Sequence, residues 1–162
     1  MFSIHCTARL LKALPPVAVV DAPPATTVLG GWYANLLPLR RRSLVLCVSE
    51  RSLLPVLLPF AETIDLPRLL SAELGTMLSD LGVPSALVER ERFAMAQWNY
   101  AKTASRSVLG VMNEFAFAVS SELEEGTDET LPELSRWLAS IMVKSEHPDE
   151  VTRALFRMGD RE

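Results

Sequence analysis

Apolar and polar positions alternate from Phe2 to Cys6, the period of a strand. Thr7 then caps a brief helical run, Ala8–Leu14, that stops at Pro15–Pro16. Residues 15–28 carry repeated prolines and read as an extended connection. Strands follow at Trp32–Leu37 and Leu44–Val48; the second is apolar throughout, as a strand covered on both faces is. The loop between them, Pro38–Ser43, is too long for a tight two-residue turn. Leu54–Leu58 is another strand, and Pro55 sets it at an edge or marks its start.

The second half is mainly helical. Leu66, Leu69, Leu70, Leu74, Met77, Leu78 and Leu81 recur at three- and four-residue steps between an Asp65 cap and a Gly82 stop. A short helix follows Pro84, and Met95–Lys102 alternates at period two, which predicts a further strand. Ser105 caps a long helix with Val108, Leu109, Met112, Phe115, Ala116, Val119 and Leu123 as its buried arc, ended by Gly126. Thr130-Leu131-Pro132-Glu133 is a capping box before Leu134, Trp137, Leu138, Ile141 and Met142, and Pro148 opens a last helix with Val151, Leu155 and Phe156 inward.

This order defines an α+β fold: a mostly antiparallel sheet of about five strands covered by amphipathic helices. Residues 1–126 form the core domain. Residues 127–162 form a C-terminal helical extension packed on the same domain or on a partner.

Composition narrows the class. A chain of 162 residues with 49% hydrophobic and 22% charged residues can bury a sizeable core without disulfides or metals. Cys6 and Cys47 lie in apolar segments without metal-ligand spacing and read as packed thiols. No metal site and no cofactor are expected. The longest uncharged stretch, Ala22–Leu39, holds prolines and glycines and does not read as a membrane span, and Pro15–Pro16 interrupt any secretory signal. These features point to a cytoplasmic protein.

Charge is polarised. Residues 1–60 hold six bases against two acids, whereas the remainder holds ten against eighteen, with six acids and no base from Glu122 to Glu133. Such polarity suits an anion on one side only. The Arg40–Arg42 run reads as a solvated turn. Alternatively, Trp32 and Tyr33 offer bases an aromatic face while the arginines hold phosphates, although a pI near 5.3 argues against a generally basic nucleic-acid binder.

Enzyme signatures are absent: there is no Walker loop, dinucleotide fingerprint, HExxH or nucleophile elbow. With only His5 and His147, neither near a nucleophile motif, imidazole catalysis is not expected. The most informative segment is 102–115. Lys102, Thr103 and Arg106 gather at a helix N-terminus, where unpaired amides and the dipole favour an anion. Arg106, Gly110, Asn113 and Phe117 share one stripe beside the buried arc. The competing structural reading pairs Arg106 with a carboxylate, uses Gly110 to relieve helix–sheet crowding and gives Asn113 a buried backbone partner. In the segment 30–37, alternation sets Tyr33 and Asn35 on one face and Trp32 on the other, so whichever face is wet offers an aromatic or polar group.

Four strings, Cys6-Thr7 with Leu10-Leu11-Lys12, WYANLL at 32–37, VLLP at 56–59 and RSVLGxMN at 106–113, resemble a bacterial domain-of-unknown-function family over about residues 4–120. The sequence departs from that pattern at Gly31, where an acid often stands, and at Val111, where a small polar residue does. The resemblance implies that Thr7, Lys12, Asn35, Lys102, Thr103, Arg106 and Asn113 occupy the family's polar positions, and that the segment after Gly126 is an addition.

The leading expectation is a non-enzymatic binding or regulatory module. It recognises an anionic group on a nucleotide, nucleic acid or partner protein through Lys102, Thr103, Arg106, Asn113, Asn35 and Tyr33. One alternative is a small metal-independent enzyme acting on a phosphodiester or nucleotide, with Glu114 or a tyrosine as general base. Another is self-association, or capture of a protein partner, through the C-terminal helices. No membrane partner is expected.

Overall fold

The structure, a computed structural model, describes residues 1–62 and 64–160. In chain order the elements are β1 (Phe2–Cys6), α1 (Ala8–Ala13), β2 (Trp32–Pro38), β3 (Ser43–Ser49), β4 (Pro55–Pro59), α2 (Leu66–Asp80), α3 (Ser85–Ala94), β5 (Trp98–Lys102), α4 (Arg106–Glu125), α5 (Leu131–Ala139) and α6 (Pro148–Asp160). The strands form one sheet in the order β4-β3-β2-β1-β5.

Local chemistry sets most of these boundaries. The Thr7, Ser105 and Thr130 hydroxyls each accept the amide three residues on, which satisfies a donor that the first helical turn leaves unpaired. Gly82 and Gly126, at φ +86° and +83°, end α2 and α4 in a backbone conformation that side chains disfavour. Pro55 is the first residue of β4, and β4 is an edge strand, so the missing amide costs no ladder bond.

The strands joined by short loops, β2, β3 and β4, pair antiparallel, as their spacing predicts. The chain's first strand lies between β2 and β5 and is parallel to both. Its register partners in β5 stand almost a hundred positions away, so no local pattern announces that pairing.

Helices cover both faces. Phe2, Ile4, Cys6, Trp32, Ala34 and Cys47 point into one apolar cluster with α1, α2 and α3, to which Phe156 of α6 adds. Tyr33, Leu44, Leu46, Val48 and Leu57 point into a second, with Val108, Met112 and Phe115 of α4 and Leu134 and Leu138 of α5. Residues 44–48 of β3 are wholly buried, because both clusters claim that strand. Val111, outside the expected arc of α4, is also buried, while Leu109, Ala116 and Leu123 pack at its margin. The apolar side of α5 is likewise taken up by the chain's own core, apart from Met142, beyond the helix end and 61% exposed.

Both sheet edges are shielded. The Ser135 hydroxyl of α5 accepts the Leu57 amide on β4, and Val19 bridges Tyr100 of β5 from the proline-rich segment. Among the described residues no helix is long and apolar enough to cross a membrane.

Candidate functional site

Cys6 and Lys102 are the last register pair of β1 and β5, so the two strands end level. β2, paired with β1 through Cys6↔Ala34, runs on to Pro38. The chain leaving β1 turns into α1, whose Leu10 lies in the first cluster; the chain leaving β5 turns into α4, whose Val108 lies in the second. Neighbouring parallel strands thus send their next helices to opposite faces. In open parallel sheets, such a divergence at the carboxyl ends of the strands is the place where ligands bind.

A buried pair of rings holds the turn between β5 and α4. His5 and Tyr33, 8% and 2% exposed, are register partners on β1 and β2 and stack with centroids 4.5 Å apart. His5 Nδ1–H donates to the Lys102 carbonyl at 2.9 Å, since a carbonyl can only accept. Tyr33 Oη accepts the Ser105 amide at 3.0 Å. The 102–105 turn is therefore fastened at both ends. Gly31 permits this arrangement, because a Cβ there would stand 3.2 Å from His5 Nε2 and 3.3 Å from Glu50 Oε2.

On the β2 side, Thr7 donates its hydroxyl to Asn35 Oδ1 at 2.6 Å while its own amide reaches the Ala34 carbonyl. Asn35 stands one residue past the end of β1, half-buried, and its Nδ2 has no hydrogen-bond partner among the described residues. Lys102 and Arg106 are exposed and Thr103 half-buried at the start of α4. Neither cation pairs with a described carboxylate; the ion pairs present are Arg68–Asp65, Arg92–Glu89 and Arg136–Asp80.

The expected residues divide accordingly. Lys102, Thr103 and Arg106 lie together at the turn, with Asn35 on the neighbouring strand. Tyr33 lies beneath them with its hydroxyl engaged, so it positions the turn. Asn113 stands two turns along α4, exposed and without a recorded partner.

Several expectations change. Trp32 and Tyr33 do sit on opposite faces of β2, but helices cover both faces, so neither ring is open for base stacking. The stripe of Arg106, Gly110, Asn113 and Phe117 faces outward, opposite the buried arc; Phe117 is 75% exposed and a Cβ on Gly110 would meet nothing within 4 Å. Gly110 therefore relieves no crowding against the sheet, and Asn113 serves no buried backbone group. His5, discounted in the sequence for lack of a catalytic motif, is the residue on which the turn rests.

Three further titratable groups, Cys6, Cys47 and Glu91, are buried. Burial pushes the Cys6 thiol up to about 12 and Cys47 higher still, so both remain protonated and inert at neutral pH. Glu91, 2% exposed, takes the Val28 and Leu29 amides at 2.7 and 3.0 Å and anchors the loop before β2. Burial raises its pKa, although those two amides and the charge of Arg51 pull it down.

Fold and site together define an α+β domain with a mixed five-stranded sheet and a cationic turn at a point where the chain diverges to both faces. The chain belongs to the family described as Domain of unknown function (DUF6933), whose match covers residues 3–152. That span takes in α5 and the first residues of α6, so the family extends beyond the stretch from 4 to 120 that carries the sequence resemblance, and most of the segment after Gly126 is part of it. Neither the curated proteins nor the solved structures compared with the chain contain a match to it.

Proposed function

We propose that the protein is a binding module that recognises an anionic group at the turn between β5 and α4. The observation that carries this reading is the strand divergence: adjacent parallel strands end level, their helices part to opposite faces, and two exposed cations without an ion pair to a described residue, Lys102 and Arg106, stand at the start of a 20-residue helix. Asn35 Nδ2 adds a neutral donor on the adjacent strand. A helix N-terminus attracts anions through its free amides. The rigid His5–Tyr33 support holds those amides in place before a ligand arrives, which lowers the ordering cost of binding.

A binding role fits better than catalysis because neither general-base candidate is free at the turn. Glu114 lies exposed on the outer side of α4, and the Tyr33 hydroxyl is buried and committed to Ser105.

The test is a calorimetric and NMR titration of the full chain with inorganic phosphate and with nucleoside triphosphates. Lys102→Ala and Arg106→Ala should each weaken binding by tenfold or more while leaving the melting temperature within a few degrees. Unchanged affinity in both variants refutes the proposal.

A further inference from the structure

A groove of about 1080 Å³ lies at the far end of α4, between that helix end and the loop joining β2 to β3. One wall carries Arg40, Arg41 and Arg42, all exposed and without an ion pair to any described residue. The opposite wall carries Glu124 and the C-terminal end of α4 at Gly126, where unpaired carbonyls concentrate negative charge. Glu125 and Glu129, next to these lining residues in the chain, are also exposed and add acidic charge to this end of α4. Leu39 and Leu123, partly buried, supply an apolar floor.

The two walls constrain the occupant. A polyanion drawn to the arginines meets the carboxylates across the groove, and a polycation meets the converse. A surface with both signs side by side satisfies both walls, and the chain itself carries such a surface in this arginine loop and acidic helix end. Two copies related by a twofold axis would present the same patch to each other, each loop facing the other's acidic wall.

We propose that this groove is the contact between two copies of the chain, with the Arg40–Arg42 loop of each seated against the acidic end of α4 of the other. Exposed ion pairs are individually weak and screened by salt, so the association is weak and collapses as ionic strength rises.

Sedimentation of the full chain tests this. At about 0.01 M salt, where charges act over about 30 Å, the average mass should rise with concentration toward twice 17.9 kDa, and at about 1 M salt it should return to the monomer. The triple reversal Arg40→Glu/Arg41→Glu/Arg42→Glu and the triple reversal Glu124→Arg/Glu125→Arg/Glu129→Arg should each be monomeric alone. An equimolar mixture should dimerise again, because each loop then opposes a wall of opposite sign. A wild-type monomer at every concentration and salt overturns the proposal. So does a dimer that survives high salt or the arginine reversal, a mixture of two folded variants that stays monomeric, or inorganic polyphosphate binding at the arginines without association. Should one reversal fail to fold, the wild-type salt response and the other reversal decide the matter.

Discussion

The Ser135 hydroxyl accepts the Leu57 amide at 2.9 Å and donates to the Leu131 carbonyl at 2.8 Å. One side chain of α5 thereby satisfies the outward amide of an edge strand and fastens the helix to the sheet. Ser135→Ala leaves that buried amide without a partner, at a cost of about 1–3 kcal/mol. For a chain of this size the melting temperature should fall by about 2–4 °C per kcal/mol, measured by calorimetry.

The same contact bears on residues 127–162. Deleting them exposes the edge of β4 and the apolar floor under Leu134 and Leu138. The truncated chain should scatter light and lose its cooperative melting transition. A well-folded monomer after deletion would show that the C-terminal helices are an independent addition.

Tyr33→Phe keeps a ring beside His5 and removes the acceptor for the Ser105 amide. It should cost about 1 kcal/mol and speed hydrogen exchange at the first amides of α4, read by NMR. Unaltered exchange there would mean that the turn does not rest on the tyrosine.

Gly110→Ala should stabilise the protein by about 0.5–1 kcal/mol, because the position is mid-helix and open and glycine there carries only its entropic penalty. Urea midpoints measure this. Loss of anion binding in the same variant would show that a ligand lies against the outer face of α4.

Glu91 gives a pH dependence of definite sign. Its folded pKa is raised above the ordinary 4.5, so its contribution to stability is fully present below that value and is lost as pH rises through the folded pKa. Urea midpoints of the wild type minus those of Glu91→Gln should therefore fall across that window. A difference that rises with pH would mean that the two amides and Arg51, and not burial, dominate the site.

Much of the architecture was legible because its causes are local. Thr7, Ser105 and Thr130 announce their helices through a hydroxyl and an amide three residues apart, and Pro55 marks both the start and the edge position of β4. The cationic turn at 102–106 was legible for the same reason. What the sequence hid depends on distant partners. Nothing near Phe2–Cys6 reveals that this strand lies parallel between β2 and β5, and the wet face expected for Trp32 or Tyr33 vanishes once helices from elsewhere in the chain cover both sides. His5 was passed over because its role is to reach a carbonyl on another strand, and no motif records that geometry.

The interior place of β1, between β2 and β5, also affects how the chain must come together during synthesis. Ser3 bonds to Asn99 across 96 positions, and at about 5–20 residues per second the ribosome delivers that second strand roughly 5–20 s after the first. Until then β1 has one flank without a neighbour, so the sheet cannot be completed. Fastening of the 102–105 turn to β1 therefore comes well after β1 itself is made. The turn proposed to bind an anion is fastened to His5 only after the ribosome has added a further 97 residues.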